Sequence, residues 1–342
     1  MDFRSDNVSP AHPAVLDAVV AANRGAAAAY GDDAWTARLA RRFAAVFERE
    51  VTVVPVATGT AANALALAAF TPPWGTIFCH VGAHIAVAEC GAPELFSGGA
   101  HLATLAGAAG KIGPDAVEAA IFREGDVHAN QPAAISISQA TEIGTVYRPA
   151  EISALAEAAR RHGMALHVDG ARFANALVSG TATPAQLTWQ AGVDVLSFGA
   201  TKNGCLGAEA IVLFPSSRSQ AIATELGYRR KRGGHLVSKG RFLSAQLEAY
   251  LTDDLWLANA RRANAMARRL ADGLQRALGI APREPVESNQ VFIALGQPVA
   301  ARLRAAGFLF HDWPGIGAGG GRLVTSWETT EAEVDALIAA AI

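Results

Sequence analysis

Three short segments of the chain carry side chains that could work on one ligand. The first, Thr58-Gly59-Thr60-Ala61-Ala62-Asn63, follows the β-branched run 51–56 and opens a helical pattern. Gly59 would let a ligand come close to the backbone, Thr60 offers a hydroxyl and a cap, and the free N–H groups of a helix start suit a phosphate. By itself the segment also reads as plain capping. The second, His167-Val168-Asp169-Gly170-Ala171-Arg172, sets Asp169 at the end of the apolar run 165–168. Ligands of open α/β sheets gather at the carboxyl ends of strands, and a carboxylate there can pair with a protonated pyridine nitrogen. It can equally cap its own loop. The third, Leu196-Ser197-Phe198-Gly199-Ala200-Thr201-Lys202-Asn203-Gly204, places Lys202 just past another apolar run, with glycines on both sides that would leave room for a bulky group. A lysine beside a buried strand end is costly unless paired or neutralised, as in a Schiff base. A lysine in a surface turn fits that segment alone as well. Taken together, in this order at successive strand ends, the three fit a phosphate, a ring nitrogen and an aldehyde: pyridoxal 5′-phosphate.

The elements that must position them alternate in kind. Runs 51–56, 76–80, 133–138, 165–168, 193–198 and 210–214 read as buried strands, and 60–70, 114–123 and 149–162 read as helices between them, with Pro114 and Pro149 where a first helical turn tolerates proline. That alternation predicts an α/β unit with a mostly parallel sheet covered on both faces. After about residue 250 the texture changes to a long helix (255–278), a strand (290–295), a helix (299–306), strands near 308–311 and 322–327, and a last helix from Thr330. The expected division is a large cofactor-binding domain, 1–250, whose N-terminal segment contributes to the site, and a small α+β domain, 251–342.

Composition narrows the class. A chain of 342 residues with 51% hydrophobic and 18% charged residues is globular, and a net charge of −2 gives no footprint for nucleic acid. No apolar run approaches a membrane span, and the first residues lack a signal core. Cys79, Cys90 and Cys205 are odd in number and far apart, which suggests neither disulfides nor a zinc site. A cytoplasmic enzyme without metal is the expectation.

These segments resemble the L-threonine aldolases of the fold type I, aspartate-aminotransferase-like family of pyridoxal-phosphate enzymes, most closely a bacterial low-specificity branch that also accepts phenylserine-type substrates. The resemblance runs through Ser5-Asp6-Asn7, Tyr30-Gly31-Asp32-Asp33, Thr58-Gly59-Thr60, Ala83-His84-Ile85, Glu89-Cys90-Gly91-Ala92-Pro93-Glu94, His167 to Arg172, Thr201-Lys202-Asn203-Gly204 and Gly321 to Trp327. It implies that Lys202 forms the Schiff base, Asp169 pairs with the pyridine nitrogen, Thr58, Gly59 and Thr60 hold the phosphate, and His84 stacks on the ring. Ser5, Arg172 and Arg322 would bind the substrate carboxylate, Arg172 also bordering the cofactor. His128, in a flank that departs from the family's pattern at Ala129-Asn130, would contact the substrate's β-hydroxyl. Arg232, in the basic run 229–232, would reach the phosphate of a neighbouring subunit, in a homodimer or homotetramer with its sites at the interface. The segment Gln139-Ala140-Thr141-Glu142 stands where other branches carry an Asn-Thr pair and receives no role.

The implied reaction splits L-threonine, L-allo-threonine or a related β-hydroxy-α-amino acid into glycine and an aldehyde. His84, directly or through a water bridged to His128, would take the hydroxyl proton. The Lys, Asp and phosphate set is shared by β-eliminating lyases and aminotransferases of the same fold, which stand as the alternative. The glycine-rich run Gly315-Ile316-Gly317-Ala318-Gly319 follows no βαβ start, so a dinucleotide loop is set aside.

Overall fold

The computed structural model describes residues 1–217 and 219–342. In chain order the elements are α1 (Pro13–Ala22), α2 (Ala34–Val46), β1 (Thr52–Val56), α3 (Gly59–Phe70), β2 (Gly75–His80), α4 (His84–Val87), α5 (Ala92–Ser97), β3 (His101–Leu105), α6 (Pro114–Ala120), β4 (Gln131–Ser138), α7 (Pro149–Arg161), β5 (Ala165–Gly170), α8 (Phe173–Leu177), β6 (Val195–Phe198), β7 (Glu209–Leu213), α9 (Ser219–Arg232), α10 (Arg241–Leu251), α11 (Leu255–Leu278), β8 (Gln290–Ala294), α12 (Gln297–Ala305), β9 (His311–Asp312), β10 (Gly320–Val324) and α13 (Glu331–Ala341).

β1 to β7 form one sheet in the order β1-β7-β6-β5-β4-β2-β3, all parallel except β7, which runs against both its neighbours. Because β7 alone is reversed, β1, β2, β4, β5 and β6 all end at the same edge. The chain therefore delivers Thr58, His84, Gln139, Asp169 and Lys202 to one rim. β3 was not foreseen from sequence: it is an edge strand, partly exposed, without the continuous apolar run that marks its neighbours. The small sheet, β8-β10-β9, is antiparallel, and its middle strand starts and ends earlier than the sequence pattern implies, at Gly320–Val324.

α3 is buried around its whole circumference from Ala61 to Ala69, and Asn63 is the one polar side chain in that stretch. Its alanines let it lie close between the sheet and the flanking α9, so the phosphate-like turn at its start is fixed from both sides. His167 on β5 spans three strands, its ring bonding Ser136 on β4 and Ser197 on β6 (2.9 Å each). Burial pushes this histidine down to about 4, so it stays neutral and acts as a staple behind Asp169.

The hydrophobic interior forms two large clusters. One fills the sheet's helix-covered face around Phe43, Phe47, Phe173, Phe198, Tyr250 and Trp256. The other packs α11, α12 and α13 on the small sheet. Phe3, placed with the large unit on sequence grounds, is buried in this second cluster, its backbone bonding Leu309 and Val324. α11 enters both, with Trp256 and Ala260 in the first and Met266 to Leu274 in the second. Among the described residues no helix is long and apolar enough to cross a membrane.

Candidate active site

At the rim, four polar side chains form a continuous chain. Asp169 is buried at the end of β5, one carboxylate oxygen accepting from the Ala171 N–H (3.0 Å) and the other from Asn63 Nδ2 (3.0 Å). The same Asn63 nitrogen donates to Glu89 Oε1 (2.8 Å), and that oxygen also meets His84 Nδ1 (2.8 Å). Asn63 sits four residues into α3, where a helix turns its side chain onto the face carrying Gly59. Nitrogen and oxygen atoms of His84, Glu89 and Asp169 lie within 4.8 Å of one another, yet an amide donor stands between the two carboxylates, which makes the group a hydrogen-bond relay.

Electrostatics follow from that relay. The Glu89 bond holds the His84 imidazole above its ordinary value, burial opposing and the charges of Asp169 and Glu142 assisting. Burial raises Glu89, more than its bonds to His84 and Asn63 lower it. Asn63 Oδ1 and Glu89 Oε2 are buried in the same cluster without a partner among the described residues. Such acceptors are costly to leave dry.

Lys202 lies in a short 3-10 turn, Thr201–Asn203, directly after β6. The two glycines beside it do not make room for a ligand, as the sequence suggested. A Cβ on Gly199 would stand 2.5 Å from the Ala171 carbonyl, and one on Gly204 would stand 2.8 Å from Asn259 Nδ2, with φ +119° besides. They let the lysine's turn cross the Asp169–Arg172 turn on one side and α11 on the other. The result is that Lys202 and Asp169 project from adjacent strand ends.

The arginines divide differently from expectation. Arg172 is almost fully buried and gives its Nε and Nη2 to Asp6 (2.8 Å each), whose carboxylate also accepts from Asn289 Nδ2 (2.9 Å). Those two donors are thus already spent within the fold. Burial alone would raise Asp6, but the guanidinium of Arg172 and then the charge of Lys202 outweigh it and hold the carboxyl below its usual value. Ser5 is likewise occupied locally, its hydroxyl accepting from the Asn7 N–H (3.1 Å). Arg322 on β10 is different: among the described residues its side chain donates only to the neutral Gln290 Oε1 (2.9 and 3.3 Å). Burial, with Arg172 nearby, pushes it down to about 10. A half-buried cation that bonds no carboxylate among the described residues, with Asp6 and Glu142 acting on it only through their charge, is a ready seat for a carboxylate.

Replacing Asp6 by alanine should therefore cost about 3–5 kcal/mol, because it strands the buried Arg172 charge. Urea unfolding checks this. The sign with pH is fixed: a lowered carboxyl contributes stability above about 3.9, the unfolded value, and loses it as pH falls through the folded one. The variant should lack that acid-labile component.

At the phosphate-like turn, Thr58 caps α3 by accepting from the Ala61 N–H (3.1 Å), and its carbonyl accepts from Ala62. The N–H groups of Gly59 and Thr60 remain free among the described residues, and a Cβ on Gly59 would meet nothing within 4 Å. This is open space at a positive helix end. His128 is not gathered here within one chain. It lies in an exposed loop before β4, at the start of the strands, roughly 23 Å of strand from the end of β4 that pairs with Asp169. Arg232 is exposed at the end of α9, beside α5. Gln139, completely buried, donates its N–H to the Asp169 carbonyl (2.7 Å), and Glu142 adds negative charge felt by His84, Arg172 and Arg322.

Asn63, Glu89 and Gln290 received no role from sequence. Glu89 carried a signal, an acid five residues after His84, but the pairing depends on the short helix His84–Val87 ending before it, which is not readable from spacing.

The family model for beta-eliminating lyases matches residues 2–296. The chain belongs to the beta-eliminating lyase family. Within it, the chain is 42% identical to the low specificity L-threonine aldolase of Pseudomonas sp. (strain NCIMB 10558), over 98% of this chain and 96% of that one. It is 43% identical to the protein of the same name from Pseudomonas aeruginosa, over 96% and 93%. The solved structure of Leishmania major threonine aldolase superimposes with a TM-score of 0.92 at 30% identity, covering 99% and 98%. Thermotoga maritima aspartate aminotransferase, at 14% identity and a TM-score of 0.73, shares the fold. The beta-eliminating lyase assignment and the fold type I architecture thus agree with the sequence reading.

Proposed function

We propose that the chain is a pyridoxal-phosphate-dependent aldehyde-lyase that cleaves L-threonine, L-allo-threonine and related β-hydroxy-α-amino acids, phenylserine types included, into glycine and an aldehyde. The observation that carries this is the His84–Glu89–Asn63–Asp169 relay, which sets a half-exposed imidazole within reach of the carboxylate at the strand end. Lys, Asp and phosphate seats are common to β-eliminating lyases and aminotransferases. The fixed histidine and the naming of the relatives favour the aldolase.

The residues fit the cofactor. Two free amides and an open glycine suit its phosphate, the held carboxylate of Asp169 suits its ring nitrogen, Lys202 suits its aldehyde, and His84 suits its ring face. When bound, the cofactor supplies the electron sink that bond cleavage at Cα requires. The protein's own part is orientation and proton movement. Arg322 clamps the substrate carboxylate, which settles which Cα bond faces the sink. With Nδ1 donating to Glu89, His84 presents Nε2 as an acceptor for the β-hydroxyl proton, and the Cα–Cβ electrons stay with the glycine fragment as the aldehyde leaves. Arg232 is proposed to serve the phosphate of a neighbouring copy, in a homo-oligomer.

Incubation with L-threonine or L-phenylserine should yield equal amounts of glycine and acetaldehyde or benzaldehyde. Release of ammonia and a keto acid instead would assign the chain to the eliminating branch. Arg322→Lys should raise KM for threonine about 10- to 100-fold with a smaller change in kcat, the worth of a lost charge-assisted fork.

A further inference from the structure

Glu209 opens β7 opposite Val56, the residue two before the phosphate-like turn. It is 7% exposed, and its Oε2 accepts from the Ala200 N–H at 2.7 Å. Ala200 caps the 3-10 turn that holds Lys202. The neighbouring Thr201 hydroxyl closes the same junction, accepting from the Ala208 N–H (3.2 Å). A carboxylate so buried is held ionised first by the bonds from Thr201 and Ala200, and then by the charge of Lys202. We propose that Glu209 is the positioning residue for Lys202: it ties down the turn that carries the lysine and faces it with a buried negative charge. This rests on reading Lys202 as the cofactor's anchor.

The surroundings make Glu209 responsive. Burial pushes it up to about 7, while the bonds from Thr201 and Ala200 and the charge of Lys202 pull it back. The other titratable groups facing it are Cys205, after the lysine's turn, and Tyr250 of α10; burial pushes both well up, so they stay neutral. Lys202 is therefore the one charge against which Glu209 is balanced among the described residues.

A four-way comparison of the full-length wild type, E209Q, K202M and the double variant tests this, by urea unfolding from pH 5 to 9 without added cofactor. Glu209 is raised on folding, so its contribution is present below the ordinary carboxylate value and is lost as pH rises through about 7. The wild type should show that loss on top of the one that the raised His84 and Glu89 give to every variant, and E209Q should show only the latter. K202M should move the Glu209 loss upward by about one pH unit when Glu209 is intact and change nothing there in the E209Q background. Coincident curves for wild type and K202M, or a loss in E209Q as large as in the wild type, would overturn the proposal; K202M alone decides if E209Q fails to fold. In parallel, capture of pyridoxal phosphate on Lys202, trapped with borohydride and read by peptide mass, should slow at least fivefold in E209Q. If the wild type traps no adduct, the anchor reading fails while the unfolding comparison still reports on the pair.

Discussion

Lys202→Ala should lower kcat/KM for L-threonine by at least about 10³-fold and abolish the visible absorbance that the protein shows with pyridoxal phosphate. Both losses should come without loss of fold. The lysine's carbon stem is only half-buried, its turn is held by Glu209, Thr201 and Asn203, and Asn203 remains bonded to Tyr250 (2.6 Å) and the Trp256 carbonyl (2.8 Å) whatever stands at 202. Far-ultraviolet circular dichroism should therefore stay close to wild type and urea unfolding should remain a single transition, its midpoint differing only by the pH-dependent effect of Lys202 on Glu209 and Asp6. A variant that still cleaved threonine at the parental rate would remove Lys202 from the site altogether.

The second large effect lies at His84. His84→Ala should cost about 10²- to 10⁴-fold in kcat/KM, the usual range for losing a positioned proton acceptor. Its pH profile carries the more discriminating result. The Glu89 bond raises the imidazole, so activity should fall on acidification at a pH above the ordinary histidine value of 6.5. Glu89→Gln removes the negative charge but keeps an oxygen that can accept from Nδ1. Its acid limb should therefore shift to lower pH while much of kcat survives at pH 8. An unmoved limb would mean that some other group limits the rate, and a Glu89→Leu control would separate loss of orientation from loss of charge.

How much of this was legible depends on distance along the chain. Strand ends are local features, so Thr58, Asp169 and Lys202 could be placed together from apolar runs and the punctuation after them. The 24-residue helix at 255–278 was readable to its ends because its apolar positions recur along one face, with only Asn259 and Asn264 among them, and Gly279 follows. What was not legible are choices made between distant segments. Arg172 reads as a free fork until Asp6, 166 residues away, takes two of its donors. Gly199 and Gly204 read as space until Ala171 and Asn259 fill it. The weak edge strand at 101–105 and the antiparallel reversal at β7 escaped for a related reason: neither changes the local hydrophobic pattern in a way that names its partner. His128 was suggested by likeness at a position where the flanking residues had already diverged, and the fold of a single chain sets it at the far end of the strands.

The long helix α11 has a consequence for how substrates are sorted. Less than two turns separate Ala260, sealed into the large core, from Met266, sealed into the small one, with neither glycine nor proline between them. A strut clamped at both ends resists bending, and the segment after it leads to β8, whose Gln290 holds Arg322. On the roles proposed for Arg322 and Lys202, the gap between them is thereby held by the packing of the fold itself. On that proposal the site is a caliper of fixed opening, one that would measure the span from carboxylate to α-carbon more strictly than whatever hangs beyond the β-carbon. That suits a catalyst tolerant of many aldehydes.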